Sequence, residues 1–147
     1  MKLTIALFYL IAVTAAVTDW REYRIPDGCC MAVVFTAVLD WLTGGGVALP
    51  ERIAGSIVVS APMFLLALCV RGSFGGGDIK FMAACGFFLG WKEILASAMY
   101  AIGAAGAFAV FLLYRGYGRE DRFPLGPFLV FGMIAELNGW FPCSMLL

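Results

Sequence analysis

Apolar runs and short polar segments alternate along the whole chain. Six runs are apolar enough to be candidate membrane spans, and charged or glycine-rich residues separate them. They are, approximately, Leu3 to Thr18, Gly28 to Leu42, Ile53 to Val70, Ile79 to Gly90, Ile94 to Tyr114 and Leu125 to Phe141. A helical span needs about 20 mostly apolar residues, so the short second and fourth runs require a thinned bilayer or burial by neighbouring helices. The pattern predicts an all-α polytopic membrane protein, a bundle of about six transmembrane helices that forms a single domain over residues 1–147.

The composition also indicates a chain surrounded by lipid. Apolar residues make up 63% of the chain and charged residues 14%, with a mean hydropathy of +0.93, whereas soluble domains have about 45–50% and about 25%. Histidine is absent, which excludes Ser-His-Asp and Cys-His nucleophile systems and HExxH zinc hydrolases. Any chemistry must therefore use carboxylates, Lys, Ser, Cys or Tyr.

Cysteine usage and net charge point to neither a metal site nor a nucleic-acid partner. The five cysteines form no CxxC pair and lie mostly in apolar runs, so we predict that they pack as small apolar residues. Ten basic and ten acidic residues cancel, which leaves no overall field to attract nucleic acid. No nucleotide or methyl-donor motif occurs in the sequence. We therefore predict no metal, no cofactor and no nucleic-acid partner.

Lysine and arginine are distributed unequally between the two sides of the predicted bundle. Seven of the ten lie beside the polar segments that follow the first, third and fifth runs, and such an excess marks the cytoplasmic side. Both termini then face outward. Met1, Lys2 and the apolar run after them also resemble a secretory signal peptide, but its removal would reverse the charge bias of every later loop.

Two aspartates on the predicted cytoplasmic side are candidates for chemistry. Asp19 follows the first apolar run, and Asp78 stands between a glycine run and the fourth apolar run. If these helices are neighbours, the two carboxyl groups can meet at the mouth of the bundle. Paired carboxyls share one proton, so the ionised one can activate water while the neutral one donates to a carbonyl oxygen.

Simpler roles are open to the same residues. Asp27 and Asp78 precede apolar runs, where an aspartate commonly caps a helix, and Asp19 can be a solvated residue beside Arg21. The glycines at 75–77 can adopt positive φ and let a substrate backbone approach Asp78. Their spacing does not match a phosphate-binding loop, which makes a nucleotide site an unfavourable interpretation.

Three motifs occur in order along the chain. They are Asp19 with the basic segment that ends in Ile25-Pro26-Asp27, then Gly75-Gly76-Gly77-Asp78 with Lys80, and finally Pro124-Leu125-Gly126-Pro127-Phe128 at the start of the last run. Together with six spans, these motifs resemble those of the type IV prepilin peptidase family of intramembrane aspartyl proteases. The resemblance covers nearly the whole chain.

The resemblance implies that Asp19 and Asp78 are the catalytic dyad of an aspartic-type endopeptidase at the cytosolic face of the inner membrane. It implies a prepilin-like precursor as substrate, cut between a short basic leader and an apolar helix, with membrane lipid as the surroundings. Long members of the family carry a cysteine-rich domain associated with zinc and N-methylation. Because the sequence shows neither that insertion nor a CxxC pair, we expect it to resemble the short, peptidase-only branch found with Flp pili and in archaeal preflagellin systems.

Five further residues are candidates for binding substrate or shaping the site. Asp27 can receive the basic leader through ion pairs, and Lys80 can tune the dyad or bind lipid phosphate; helix capping and membrane anchoring explain these two equally well. Pro124, Gly126 and Pro127 are expected to bend the entry of the last helix near the site.

Two acids lie deep within predicted spans. Asp40 and Glu136 stand toward the outer end of the second and sixth runs, and an intramembrane acid requires a partner or a function. We expect structural pairing with Arg52 or Lys92. The small residues from Gly103 to Ala107 in the fifth run are expected to allow close helix approach.

Two other functions are consistent with parts of this sequence. Asp19 and Asp78 can instead be proton or cation sites of a small membrane transporter. Ser73 and Lys80 can form a Ser-Lys peptidase, although nothing in the sequence places this serine near the lysine.

Overall fold

The computed structural model describes residues 2–70, 75–115 and 124–139, and every regular element in these ranges is an α-helix. The helices are α1 (Lys2–Glu22), α2 (Asp27–Leu42), α3 (Leu49–Val58), α4 (Ser60–Cys69), α5 (Gly76–Leu89), α6 (Trp91–Tyr114) and α7 (Gly126–Leu137). Since α3 and α4 follow each other with one residue between them, the seven helices make six segments, one for each predicted run. The predicted all-α polytopic class is confirmed.

Helix length separates the segments that can cross a bilayer alone from those that need neighbours. Among the described residues, three segments are long and apolar enough to span: Leu3–Glu22, Leu49–Cys69 and Trp91–Tyr114. The 14 residues of α5 reach only about 21 Å at 1.5 Å per residue. This helix packs against α2, α3, α4 and α6, and seven of its residues are buried. The short fourth run is therefore an interior helix, enclosed by its neighbours.

The third segment begins earlier than predicted and is broken near its middle. It starts at Leu49, with Pro50 in its first turn, so Arg52 lies inside the helix rather than in the preceding loop. The break falls at Val59. Pro62 has no N–H to donate to the carbonyl of Val58, and that missing hydrogen bond explains why α3 and α4 are separate helices.

A buried ion pair connects four helices at the end of the bundle where α1 begins. The guanidinium of Arg52, which is fully buried, lies 2.6 Å from Oδ2 of Asp40. The hydroxyl of Thr4 donates to Oδ1 of Asp40 at 2.8 Å, and Arg52 also donates to the carbonyls of Phe87 and Phe88. The predicted structural pairing of Asp40 with Arg52 is confirmed.

Glu136 is buried in α7, and its predicted pairing with Arg52 or Lys92 stays a prediction. The predicted close approach through Gly103 and Gly106 is not found, since a Cβ added at either glycine would meet nothing within 4 Å. Gly55 and Gly86 instead mark a close crossing of α3 and α5, because a Cβ on either one would overlap the backbone of the other.

Candidate active site

Asp19 is a buried helical residue. Helix α1 continues through Glu22, beyond the predicted end at Thr18, and only 4% of the surface of Asp19 is exposed. The interpretation of Asp19 as a solvated loop residue is therefore wrong. Its Oδ2 accepts a hydrogen bond of 2.7 Å from the N–H of Gly126. Gly126 is the first residue of α7, so this N–H is one of the free donors at a helix N-terminus, where a negative charge is stabilised.

Asp78 lies in the first turn of α5, where its carboxyl group accepts a backbone hydrogen bond and is affected by the charge of Asp19. Its Oδ2 accepts a hydrogen bond of 3.3 Å from the N–H of Gly75, so its side chain satisfies a backbone donor at the helix start from the third helical position, although Gly75 rather than Asp78 is the N-cap residue. Burial raises the pKa of Asp78 from 3.8 to about 6, and the negative charge of Asp19 adds to the rise, while the Gly75 N–H opposes it. The carboxyl group of Asp19 is therefore close enough to Asp78 to raise the pKa of Asp78.

The glycine run has a different conformation from the one expected. Gly75 is the N-cap of α5 with φ −73°, and Gly76 and Gly77 are helical, so the prediction of positive φ is wrong for all three. The physical reason is that the helix begins two residues before Asp78. A Cβ on Gly77 would lie 3.1 Å from the carbonyl oxygen of Ile25, and its absence lets α5 pack on the Ile25-Pro26 segment. Gly75 and Gly76 are exposed.

Asp27 and Lys80 form an exposed ion pair. The Lys80 ammonium lies 3.0 and 3.2 Å from the two carboxylate oxygens of Asp27. The side chain of Lys80 is 62% exposed and that of Asp27 is 67% exposed. Pro26, rather than Asp27, is the N-cap of α2, so the expectation that Asp27 is the capping residue is wrong. The pair lines a groove of about 550 Å³ whose other lining residues include Ser56 and Phe87. Lys80 thus contacts Asp27 instead of Asp19 or Asp78.

The Pro-Leu-Gly-Pro segment leads into α7 and brings a backbone donor to Asp19. Pro124 and Leu125 precede the helix, and Pro127 lies in its first turn, a favourable position because its missing N–H would have had no helical partner. A Cβ on Gly126 would lie 2.7 Å from Oδ2 of Asp19. Sequence reasoning anticipated that this segment shapes the site but missed the N–H of Gly126, although a glycine between two prolines at a helix start was a usable signal.

Some predicted residues lie outside the described ranges. They are Ser73 of the Ser-Lys alternative, Cys143, and the charged residues Arg71, Arg119, Glu120, Asp121 and Arg122. Within the described ranges, no three Cys, Asp or Glu side chains form a cluster that could hold a metal ion. The absence of a cofactor stays a prediction.

Comparison with known proteins identifies the family. The family model described as the type IV leader peptidase family matches residues 6–147. The chain belongs to the type IV leader peptidase family. Among curated proteins, it is 29% identical over 148 residues to a prepilin leader peptidase/N-methyltransferase of Pectobacterium carotovorum, covering 92% of the chain and 51% of that relative.

Proteins with the same description in two other organisms are similar at the same level. The Burkholderia pseudomallei protein is 29% identical over 97% of the chain and 49% of its own length. The Aeromonas salmonicida protein is 30% identical over 92% of the chain and 50% of its own length. The chain thus spans about half the length of these type IV leader peptidase relatives. No solved structure matches it. The resemblance stated from the motifs is confirmed, while the peptidase-only form and the individual residue roles stay predictions.

Proposed function

We propose that this chain is an aspartyl endopeptidase that removes the short basic leader of a prepilin-like precursor at the cytoplasmic face of the membrane. One observation carries the proposal: the charge of Asp19 raises the pKa of Asp78 at a common end of the bundle. Two interacting carboxyls form the hydrolytic unit that needs no histidine, metal or covalent intermediate. Membership in the type IV leader peptidase family supports the same chemistry.

The two aspartates take different parts in the reaction. Asp78, with its pKa near 6, holds the shared proton, and Asp19, which accepts the Gly126 hydrogen bond, is the ionised member. Asp19 removes a proton from water as the water oxygen attacks the peptide carbonyl carbon, and Asp78 donates its proton to the carbonyl oxygen. The tetrahedral intermediate, a gem-diol, then collapses as the C–N bond breaks: the proton taken up by Asp19 passes to the leaving amine, and Asp78 takes back a proton from one gem-diol hydroxyl as the carbonyl group re-forms.

The surroundings of the pair suit a substrate with a basic leader and an apolar helix. The exposed Gly75 and Gly76 leave room beside Asp78 for an extended backbone. The exposed carboxylates of Glu22 and Asp27 attract a basic leader that remains in water. The apolar helix that follows the leader stays in the lipid layer, so the boundary between the two segments meets the aspartates.

A cleavage assay in liposomes tests this function. The chain is reconstituted with a precursor that carries a basic leader, and the products are separated by mass. Asp19→Asn and Asp78→Asn are each expected to lower the cleavage rate at least about 100-fold, because one group can no longer act as acid or base. Glu51→Gln serves as the matched control, since Glu51 is an exposed acid in the first turn of α3.

Two results would contradict the proposal. Full cleavage by either aspartate variant would remove that residue from the dyad. Substrate-driven proton movement by the wild-type chain without any cleavage would instead favour the transporter alternative.

A further inference from the structure

The groove that begins at the Asp27–Lys80 ion pair continues between α2 and α5 as an apolar surface. Its volume is about 550 Å³, and Ser56 of α3 lies at one side. The hydroxyl of Ser56 donates to the carbonyl of Ile53 in its own helix at 2.8 Å, so the ion pair supplies the polar contacts that are open to a ligand. The remaining lining residues are Cys30, Met31, Val34, Ala83, Ala84 and Phe87.

The groove is built from one face of each of the two helices. Its lining residues stand at positions 27, 30, 31 and 34 on α2 and at positions 80, 83, 84 and 87 on α5. Both sets follow the spacing i, i+3, i+4, i+7, which places side chains on one face of an α-helix. Each face therefore begins with a charged residue and continues with apolar residues for about 10 Å along the helix axis. The ion pair aligns the charged ends of the two faces.

The charged end of the groove lies where the bundle meets water, and the apolar part is open to the lipid layer. Asp27 is the first residue of α2, and the side chains of Asp27 and Lys80 are both more than half exposed. Further along α2, Met31 is 70% exposed and Val34 is 37% exposed. A molecule of the surrounding lipid layer can therefore place its polar group at the ion pair and its apolar part along the helices.

The ion pair offers a ligand one partner of each sign. The two bonds to Asp27 use at most two of the three N–H donors of Lys80, and a carboxylate has about four acceptor positions. A phosphate group can therefore bind Lys80, and an ammonium group can bind Asp27, without separation of the pair. A headgroup that carries both charges matches this arrangement, whereas the charge of a purely anionic headgroup would be repelled by Asp27.

We propose that this groove binds a phospholipid whose headgroup carries a primary ammonium, of the phosphatidylethanolamine class. The phosphate contacts Lys80, the ammonium contacts Asp27, and an acyl chain lies along the two apolar faces. Acyl chains find an equally apolar medium elsewhere in the bilayer, so the headgroup provides the selectivity. An apolar helix of a protein partner would cover the ion pair without giving either charge a partner, which favours the lipid. This inference is independent of the proposed peptidase function.

Photocrosslinking in phosphatidylcholine vesicles tests the site. The full chain is reconstituted with a trace of one lipid probe that carries a photoreactive group in the middle of an acyl chain. Three probes are compared: phosphatidylethanolamine, phosphatidylglycerol, which lacks the cation, and phosphatidylcholine, whose cation has no N–H donor. Crosslinks to residues 27–34 and 80–87 are located by peptide mass. The phosphatidylethanolamine probe is expected to give at least about 3-fold more of them than either other probe, on the scale that exposed charge pairs allow.

Substitutions separate headgroup recognition from general contact with lipid. Lys80→Gln and Asp27→Asn are each expected to remove the preference for phosphatidylethanolamine. Arg24→Gln is the control and should retain it, because Arg24 is an exposed cation at the same end of the bundle that does not line the groove. Val34→Trp should lower the crosslinking of all three probes to the groove. Val38→Trp is its matched control, since Val38 has the same exposure on the same helix but is not a lining residue.

The assay contains no precursor, because a basic leader would compete with the lipid ammonium for Asp27. Equal crosslinking of the three probes to the wild-type groove, or a preference for phosphatidylglycerol, would overturn the proposal. So would an equal loss of preference in Lys80→Gln and Arg24→Gln. Labelling of the groove by a photoreactive precursor, with no headgroup preference among the lipid probes, would assign the groove to the precursor helix instead. Thermal unfolding curves show which variants are folded, and the two charge variants decide the test if Val34→Trp is not.

Discussion

The backbone N–H of Gly126 donates a 2.7 Å hydrogen bond to Oδ2 of Asp19, across 107 positions of the chain. This bond ties the end of α1 to the start of α7. It occupies Oδ2 of Asp19, so in the proposed mechanism Oδ1 is the oxygen that takes the proton from water. Because the donor belongs to the backbone, its position depends on where α7 begins rather than on a side-chain rotamer.

Gly126→Ala is expected to lower kcat about 100-fold while the protein remains folded. A Cβ at this position would lie 2.7 Å from Oδ2 of Asp19, so either the carboxylate or the helix start must move, and a displacement of about 1 Å in a catalytic group costs about that factor. Cleavage kinetics and a thermal unfolding curve check the two parts of the prediction. Gly103→Ala on α6, where a Cβ would meet nothing within 4 Å, should leave the rate unchanged. Equal rates for both variants would mean that the Gly126 contact is not needed.

The pH dependence of cleavage should have an alkaline limb. Burial and the charge of Asp19 raise the pKa of Asp78 to about 6, and the reaction needs Asp78 protonated. Raising the pH removes that proton, so kcat/KM is expected to fall with an apparent pKa near 6 that belongs to the pair rather than to one residue. Initial rates of cleavage between pH 4.5 and 8 are the measurement. A rate that rises steadily across this interval would reverse the assignment of acid and base.

The same raised pKa predicts a stability effect that needs no substrate. The folded state binds the Asp78 proton more tightly than the unfolded state, so the free energy of unfolding falls as the pH rises from about 4 through about 6. Asp78→Asn removes the cost of keeping a buried carboxylate ionised. The variant is expected to have a free energy of unfolding up to about 3 kcal/mol above that of wild type at pH 7.5, with little difference at pH 4. Unfolding in mixed micelles at both pH values measures this. A variant less stable than wild type at pH 7.5 would contradict it.

The ion pair of Asp27 and Lys80 should contribute little to stability. Both side chains are mostly exposed, and exposed pairs contribute about 0–1 kcal/mol. Lys80→Gln and Asp27→Asn should each change the free energy of unfolding by less than about 1 kcal/mol. If the Lys80 ammonium instead anchors α5 to α2 strongly, Lys80→Gln will lower the free energy of unfolding by more than that limit. The Asp27→Asn/Lys80→Gln double variant will then lower it no further than Lys80→Gln alone.

The helices could be predicted from the sequence because a segment that crosses lipid must be an apolar run of a characteristic length. Apolar runs of span length must be helical in a bilayer, and this rule located all six segments. It also predicted the Asp40–Arg52 pair, since a buried acid requires a partner. These inferences use only the cost of placing polar groups in an apolar medium.

Helix ends and backbone conformations were less predictable, because they depend on tertiary contacts. The local sequence does not show whether α1 ends at Thr18 or at Glu22. In the structure α1 continues to Glu22, and Asp19 is buried in it and hydrogen-bonded to Gly126. Glycine permits positive φ but does not require it, and the capping contact between Gly75 and Asp78 favours helix over loop. Sequence reasoning therefore anticipated that Asp19 and Asp78 lie close together but not that the N–H of Gly126 donates to Asp19.

Arg52→Met is expected to be among the most destabilising single substitutions in the chain. Arg52 is fully buried, and its removal takes the guanidinium away from Oδ2 of the buried Asp40 carboxylate, while the Thr4 hydroxyl still donates to Oδ1. Breaking a buried pair by removing one partner costs about 3–5 kcal/mol. The free energy of unfolding in mixed micelles measures this loss, and Arg24→Met, at an exposed cation between α1 and α2, is the control.

The double variant Asp40→Leu/Arg52→Met separates an ion pair from simple packing. Replacing both charges with apolar groups leaves no uncompensated charge, so the double variant is expected to be more stable than Arg52→Met alone by at least about 1 kcal/mol. If the double variant instead lowers the free energy of unfolding by the sum of the two single effects, the two side chains act independently. Because this network lies at the end of the bundle opposite Asp19 and Asp78, the double variant should retain the cleavage rate of wild type at temperatures where it is folded.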